Sequence, residues 1–197
     1  MIPELPLTLV TRLERRLVTA TAVATSPFTG TEQVQDWGGE WWDYTIELAQ
    51  RPGRDGRRLS AFFAGLGGIR GCFLFRDPSV LQAGSFGAPV VAGGFQAGNA
   101  LMTAGWAPSL PTLRTGDLIS LGTDGTTRLH QLTADVLPDY AGRATLQLAP
   151  RLRAAPGDGD PIEIAAPAVL LRLTAPVPSL ITRADLFRFS LTAREAL

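Results

Sequence analysis

The stretch Trp41-Trp-Asp-Tyr-Thr-Ile-Glu-Leu48 carries the cleanest two-residue period in the chain. Trp42, Tyr44, Ile46 and Leu48 fall on one side and Trp41, Asp43, Thr45 and Glu47 on the other, because successive side chains of a strand point to opposite faces. The pattern predicts a half-buried antiparallel strand in a sheet with one wet face. Trp41, on the outer side, has two readings: an anchor between subunits, or a ring packed under a loop of its own chain. Asp43 and Glu47 beside it read as solubilising charges.

Working outward, Leu17-Val-Thr-Ala-Thr-Ala-Val-Ala-Thr25 mixes β-branched residues and alanines and predicts a second strand, followed by a turn at Ser26-Pro-Phe-Thr-Gly30. Residues 7–17 suit either a strand arm or a short helix. After Leu48, Pro52-Gly53 and Asp55-Gly56 signal turns. Leu59, Phe62, Phe63 and Leu66 then fall at helical spacing, and Gly67-Gly68 supply a stop, so one helix is expected from Arg57 to Leu66. Arg57 and Arg58 at its start are either solvated or paired with a carboxylate of a neighbouring subunit. Cys72-Phe-Leu-Phe-Arg76 reads as a buried strand ended by Asp77-Pro78, and the small, glycine-rich run 83–99 as a loop or edge excursion.

From 100 to 174 short strand candidates (101–105, 117–121, 127–136, 143–149, 161–165, 168–174) alternate with turn signals and no helix, which predicts a small barrel. In the tail, Phe187, Phe189 and Leu191 alternate against Leu186 and Arg188, as in a strand that closes the first sheet. The expected fold is therefore mainly β: a β-sandwich with one short helix, formed by 1–95 and 175–197, carrying an inserted OB-like β-barrel at 96–174.

Composition excludes several classes. Of 197 residues, 18 are cations and 18 are acids, for a net charge of zero, and every cation is arginine. A nucleic-acid binder held by phosphate contacts shows a basic excess, and a disordered tail shows low hydrophobicity with high net charge. Between 100 and 174 the only aromatics are Trp106 and Tyr140, and Arg114, Arg128, Arg143, Arg151, Arg153 and Arg172 are balanced by acids. Neither sequence-specific nucleic-acid binding nor a carbohydrate platform is indicated. The single cysteine, Cys72, forms no internal disulfide and reads as packing. The longest apolar runs, 61–69 and 87–95, reach nine residues, short of a membrane span of about 20. With no signal-peptide order at the N-terminus, a protein made in a reducing cytoplasm is expected.

Chemistry-bearing patterns are sparse. His130 is the only histidine, in a strand candidate, and reads as a filler without a metal-ligand or dyad partner. Asp158, Asp160 and Glu163 read as an acidic turn, since they lack a calcium-loop spacing. Gly65-Leu-Gly-Gly68 follows a helix, the reverse of a phosphate-cradling order. Glu40, Asp43 and Glu47 crowd one strand and do not suggest a tuned acid–base pair. No catalytic, cofactor-binding or metal-ligating residue is assigned, and an enzyme is not expected.

The order of segments resembles the distal tail proteins of siphophages and prophages of high-GC bacteria. The residues that carry the likeness are Gly30-Thr-Glu-Gln-Val-Gln-Asp-Trp37, Gly39-Glu-Trp-Trp42, Leu59-Ser-Ala-Phe-Phe-Ala-Gly-Leu66 and Gly71-Cys-Phe-Leu-Phe-Arg-Asp-Pro78. Further on they are Gly105-Trp106, Leu113-Arg-Thr-Gly-Asp-Leu-Ile-Ser-Leu-Gly122, Asp139-Tyr-Ala-Gly142, Ala149-Pro-Arg-Leu-Arg153 and the final Phe-rich strand. The resemblance implies a structural protein of the virion, assembled in the host cytoplasm: a homo-oligomeric, hexameric ring joining the tail tube protein to the baseplate hub or tail tip. It implies no cofactor and no membrane partner. The rival readings are another tail-tip component, such as a hub or tail-completion protein, and more distantly a carbohydrate-binding β-protein.

Overall fold

A computed structural model of the protein describes residues 2–6, 9–80, 86–107 and 113–197. In chain order its elements are β1 (Val10–Thr25), β2 (Glu32–Leu48), β3 (Arg51–Pro52), α1 (Gly53–Gly65), β4 (Cys72–Arg76), β5 (Gly87–Val91), β6 (Gly98–Trp106) and β7 (Leu118–Leu121). There follow β8 (Arg128–Leu132), β9 (Ala144–Leu152), β10 (Ile162–Glu163), β11 (Ala168–Leu173), β12 (Leu180–Ile181), β13 (Leu186–Arg188) and β14 (Ser190–Glu195). The fold is mainly β with one α-helix, as the alternation and the frequent turns predict.

The first sheet runs β1-β2-β14-β11-β4, antiparallel throughout. Trp42, Tyr44, Ile46 and Leu48 all face its core, as the two-residue period requires. The open edge of β4 is covered by the N-terminal residues: the Leu5 amide donates to the Leu74 carbonyl, and the Leu74 amide to that of Pro3. Helix α1 closes the core with Leu59 and Phe63, and its C-cap Leu66 joins them, beside Phe187 and Phe189 from the tail. The tail pairs as expected: β14 joins β2, while β13 forms a small sheet with β12 and β3.

The second sheet runs β10-β7-β8-β9-β6-β5 and nearly closes into a barrel. Val90 bridges Pro161, and the Val91 amide donates to the Asp160 carbonyl at 2.9 Å. Six strands take part, one more than the five of an OB barrel. The β7–β8 wall is shared between two cores: Leu118 and Leu129 belong to the first, Ile119 and Leu132 to the barrel's own.

Several expectations are corrected. Of the two readings of 83–99, a loop or an edge excursion, residues 87–91 follow the second and form a barrel strand at the sheet edge, where a register shift between Gly87 and Val90 accommodates Pro89; 83–85 lie outside the described residues. The strand expected at 168–174 forms at 168–173 in the first sheet, between β14 and β4. Its run Ala-Val-Leu-Leu-Arg-Leu is buried on both faces, which explains the absence of alternation. Of the two readings of 7–17, the strand arm is the one that forms, over 10–17, and 7 and 8 lie outside the described residues.

The helix starts four residues early and absorbs Asp55-Gly56. Pro52 is extended (φ −82°, ψ 151°) and ends β3, Asp55 suits the positive first turn, and Gly67 at φ 66° stops the helix in a left-handed conformation. Gly56 is there for closeness: a Cβ at that position would lie 2.2 Å from Cδ2 and 2.7 Å from Cβ of Phe187. Gly56→Ala is therefore expected to destabilise the fold by about 1–3 kcal/mol through overpacking, despite alanine's better helix propensity. A denaturant midpoint equal to or above that of the wild type would contradict this.

Candidate functional site

The first sheet does not end where its core ends. Strand β14 pairs with β2 only over Asp43–Glu47, whereas β1 and β2 continue together to the pairs Thr21↔Asp36, Val23↔Val34 and Thr25↔Glu32. The outer part is a two-stranded arm about 20 Å long from Thr19 to Thr25, at about 3.3 Å per residue. Its turn is held by the Gly30 amide on the Ser26 carbonyl and the Ser26 amide on that of Thr31. Alanine, threonine and valine keep it extended, yet among the described residues no second layer covers it. Phe28 at the tip is 95% exposed, and Val23, Val34 and Trp37 are each more than half exposed. A lone hairpin is marginal in water, and an exposed apolar strand pair is a template for other chains.

The root of the arm is gripped by the barrel. Arg151 on β9 reaches Asp36 Oδ2 at 2.9 Å and Glu40 Oε1 at 3.0 Å, and its backbone amide donates to Glu40 Oε2 at 2.7 Å. Here β1 and β2 lose register opposite Trp37-Gly38-Gly39. Gly38, at φ 75°, lets the arginine lie 3.3 Å from where a Cβ would sit. The Gly38 amide, and then Arg151, hold the Asp36 carboxyl below the usual range.

Behind this lies a buried seam between sheet and barrel. Arg153 forks onto both oxygens of Glu195, whose side chain is fully buried, and donates to the Glu40 carbonyl. Glu195 also accepts the backbone amides of Trp42 (3.2 Å) and Leu129 (3.4 Å). Nδ1 of His130 donates to the Pro150 carbonyl at 2.8 Å, which assigns the tautomer. Burial pulls the His130 pKa down to about 4. A second inward pair, Arg15 with Asp77 at 2.6 Å, spans β1 and the end of β4, with the Arg15 guanidinium over Trp42.

The residues singled out in the sequence do not converge. His130 is a core residue with a backbone partner. Cys72 is half-buried in β4. Asp158, Asp160 and Glu163 each cap a different backbone amide, of Gly93, Gly157 and Ala166. Among the described residues no group of three His, Cys, Asp or Glu could hold a metal ion. Glu40, Asp43 and Glu47 are each matched by arginine: Arg151, Arg194 with Arg16, and Arg12. Trp41 lies half-buried under the Arg194 guanidinium, 4.9 Å from its ring, so its cover is a side chain of its own chain rather than a loop. Arg57 meets Asp185 of the same chain at 3.2 Å.

On the barrel, Trp106 is buried and donates to Thr103 Oγ1, leaving Tyr140 fully exposed without it. The exposed aromatic that sequence reading passes over is Phe95, at φ 62° in a loop clasped by Gln96, whose amide bonds Ala92, Gly93 and Met102. Beside α1 lies a cavity of about 340 Å³ lined by Pro6, Leu9, Leu59 and Phe62 together with the charged Glu4, Arg51, Asp55 and Arg58. What the arrangement offers is contact surface held by ion pairs. No helix among the described residues is long and apolar enough to cross a membrane. No protein-family model matches the chain, and no curated protein matches it.

Proposed function

We propose that the protein is a structural, ring-forming subunit of a siphophage tail, of the distal-tail type, joining the tail tube to the hub or tail tip. The single observation that carries this reading is the arm of β1 and β2, which sends an apolar tip beyond the chain's own core. Such a surface is unfavourable for a monomer and favourable for a subunit. The ordered segments that resemble distal tail proteins supply the tail context and the expectation of six copies. The charge pattern supports the same reading. Arginines paired along the outer face, Arg12 with Glu47 and Arg194 with Asp43, leave a neutral surface on which copies do not repel each other. The role is architectural, with tube and hub proteins as partners.

The test is light scattering combined with negative-stain electron microscopy on the full chain and on a variant in which residues 22–35 are replaced by a two-residue Asn-Gly turn, which joins the register partners Thr21 and Asp36. The full chain is expected to form discrete rings, alone or with its tube neighbour, while the shortened variant stays monomeric and still unfolds in one cooperative transition. A full chain that is monomeric at every concentration and in the presence of tube protein would reject the ring.

A further inference from the structure

The tip of the arm and the cavity beside α1 sit at opposite ends of the same ribbon. Leu9 directly precedes β1 and Arg51 is the third residue after β2, so both lie at the ribbon's base. The tip lies fifteen residue steps away along β1, about 50 Å at 3.3 Å per residue. A chain cannot fill its own cavity with its own tip, but a second copy can.

Resting on the ring reading above, we propose that the arm tip of one copy seats in the α1 cavity of the next, with Phe28 entering between Leu9, Leu59 and Phe62. Chemistry matches on both sides. Between Leu17 and Gln50 the chain has no cation, and the acids nearer the root, Asp36, Glu40, Asp43 and Glu47, are held by arginines of the same chain. Glu32, at the tip, has no ion pair among the described residues. On the cavity side the acids are already taken, Glu4 by Arg76 at 3.0 Å and Asp55 by Arg58 at 3.8 Å. Arg51 has no ion pair among the described residues, and its Nε is buried without a hydrogen-bond partner. A tip that presents the Phe28 ring and one unspent carboxylate thus meets an apolar hole carrying one unspent guanidinium.

Because knob and hole are different surfaces of one chain, the contact is head-to-tail. Repeated with a rotation that closes, it makes a ring, and without closure a filament. The arm then carries the continuity of the assembly, while the barrel, which grips the arm only at its root, stays clear of the contact.

The experiment uses the full chain with Cys72→Ser, carrying either Thr29→Cys at the tip or Arg58→Cys at the cavity rim. The two are mixed, oxidised and sized in parallel by light scattering. A disulfide-linked dimer is expected in the mixture and not in either variant alone. Phe28→Asp, at a position too exposed to disturb folding, is expected to abolish both the cross-link and the oligomer. Oligomers that persist without cross-linking would overturn this contact and leave the ring reading standing. Monomers throughout would overturn both.

Discussion

Glu195→Gln is expected to cost about 3–5 kcal/mol, the largest single-site effect in the molecule, because it removes one partner of a buried ion pair. The carboxylate is fully buried and is the acceptor for Arg153 and for the amides of Trp42 and Leu129. Glutamine keeps the shape but leaves the Arg153 guanidinium, only 14% exposed, without its counter-charge. For a chain of this size that corresponds to a fall of about 6–20 °C in the thermal midpoint. The double variant Arg153→Met, Glu195→Leu should recover part of the loss by removing the stranded charge. It should not recover all of it, since two buried amides still lack an acceptor, at about 1–3 kcal/mol each. A single variant within about 0.5 kcal/mol of the wild type, the usual scale for surface changes, would show that the seam does not hold sheet and barrel together.

The second large effect is acid lability through His130. Its folded pKa of about 4 lies below the ordinary 6.5, mainly because burial disfavours the imidazolium, with Arg153 and Arg128 adding to the depression and the Pro150 carbonyl and Glu40 opposing it. Between those two values the unfolded chain binds a proton that the folded chain refuses, so stability rises with pH across the window. The neutral-ring contribution is fully present above about pH 6.5 and is lost as pH falls to 4, a change of about 3 kcal/mol. The slope is up to about 1.4 kcal/mol per pH unit per proton. Denaturant unfolding at several pH values should show this slope in the wild type, and a shallower one in His130→Gln. Equal slopes between pH 4 and 6.5 would mean that His130 does not carry the acid sensitivity there, since Asp36 and Asp135, whose pKa values are lowered from 3.8, lose their contribution mainly below that window.

What can be read from the sequence is whatever follows from one residue's immediate neighbours. Trp42, Tyr44, Ile46 and Leu48 announce their strand because one face is apolar and the other is not, and Phe187, Phe189 and Leu191 do the same. The run from Ala168 to Leu173 also reads as a strand, but β11 is apolar on both faces, so nothing local says which sheet it joins. Gly56 reads as a turn former, and only the approach of Phe187, distant in sequence, makes it a helix residue. The arm is half legible. Its β1 side has strand propensity, but Gln33-Val-Gln-Asp-Trp-Gly-Gly39 has no buried face and therefore no period. Glu195 does leave a signal in the sequence, since it extends the buried series Leu191, Ala193 into a position where an apolar residue would be expected. A carboxylate there implies a buried cation, and Arg153 is that cation.

The strand order of the first sheet also constrains when the molecule can fold. β14 follows every other strand in the sequence yet sits in the middle, between β2 and β11. Until residues 190–195 have been synthesised, β1–β2 and β4–β11 are two separate fragments with apolar edges facing an empty slot. Most of the sheet must therefore wait, exposed, for its last piece, and long-range pairing of this kind is slow and open to misassociation. A chaperone, or a neighbouring subunit's strand, would find its opening during that interval and lose it once β14 has docked.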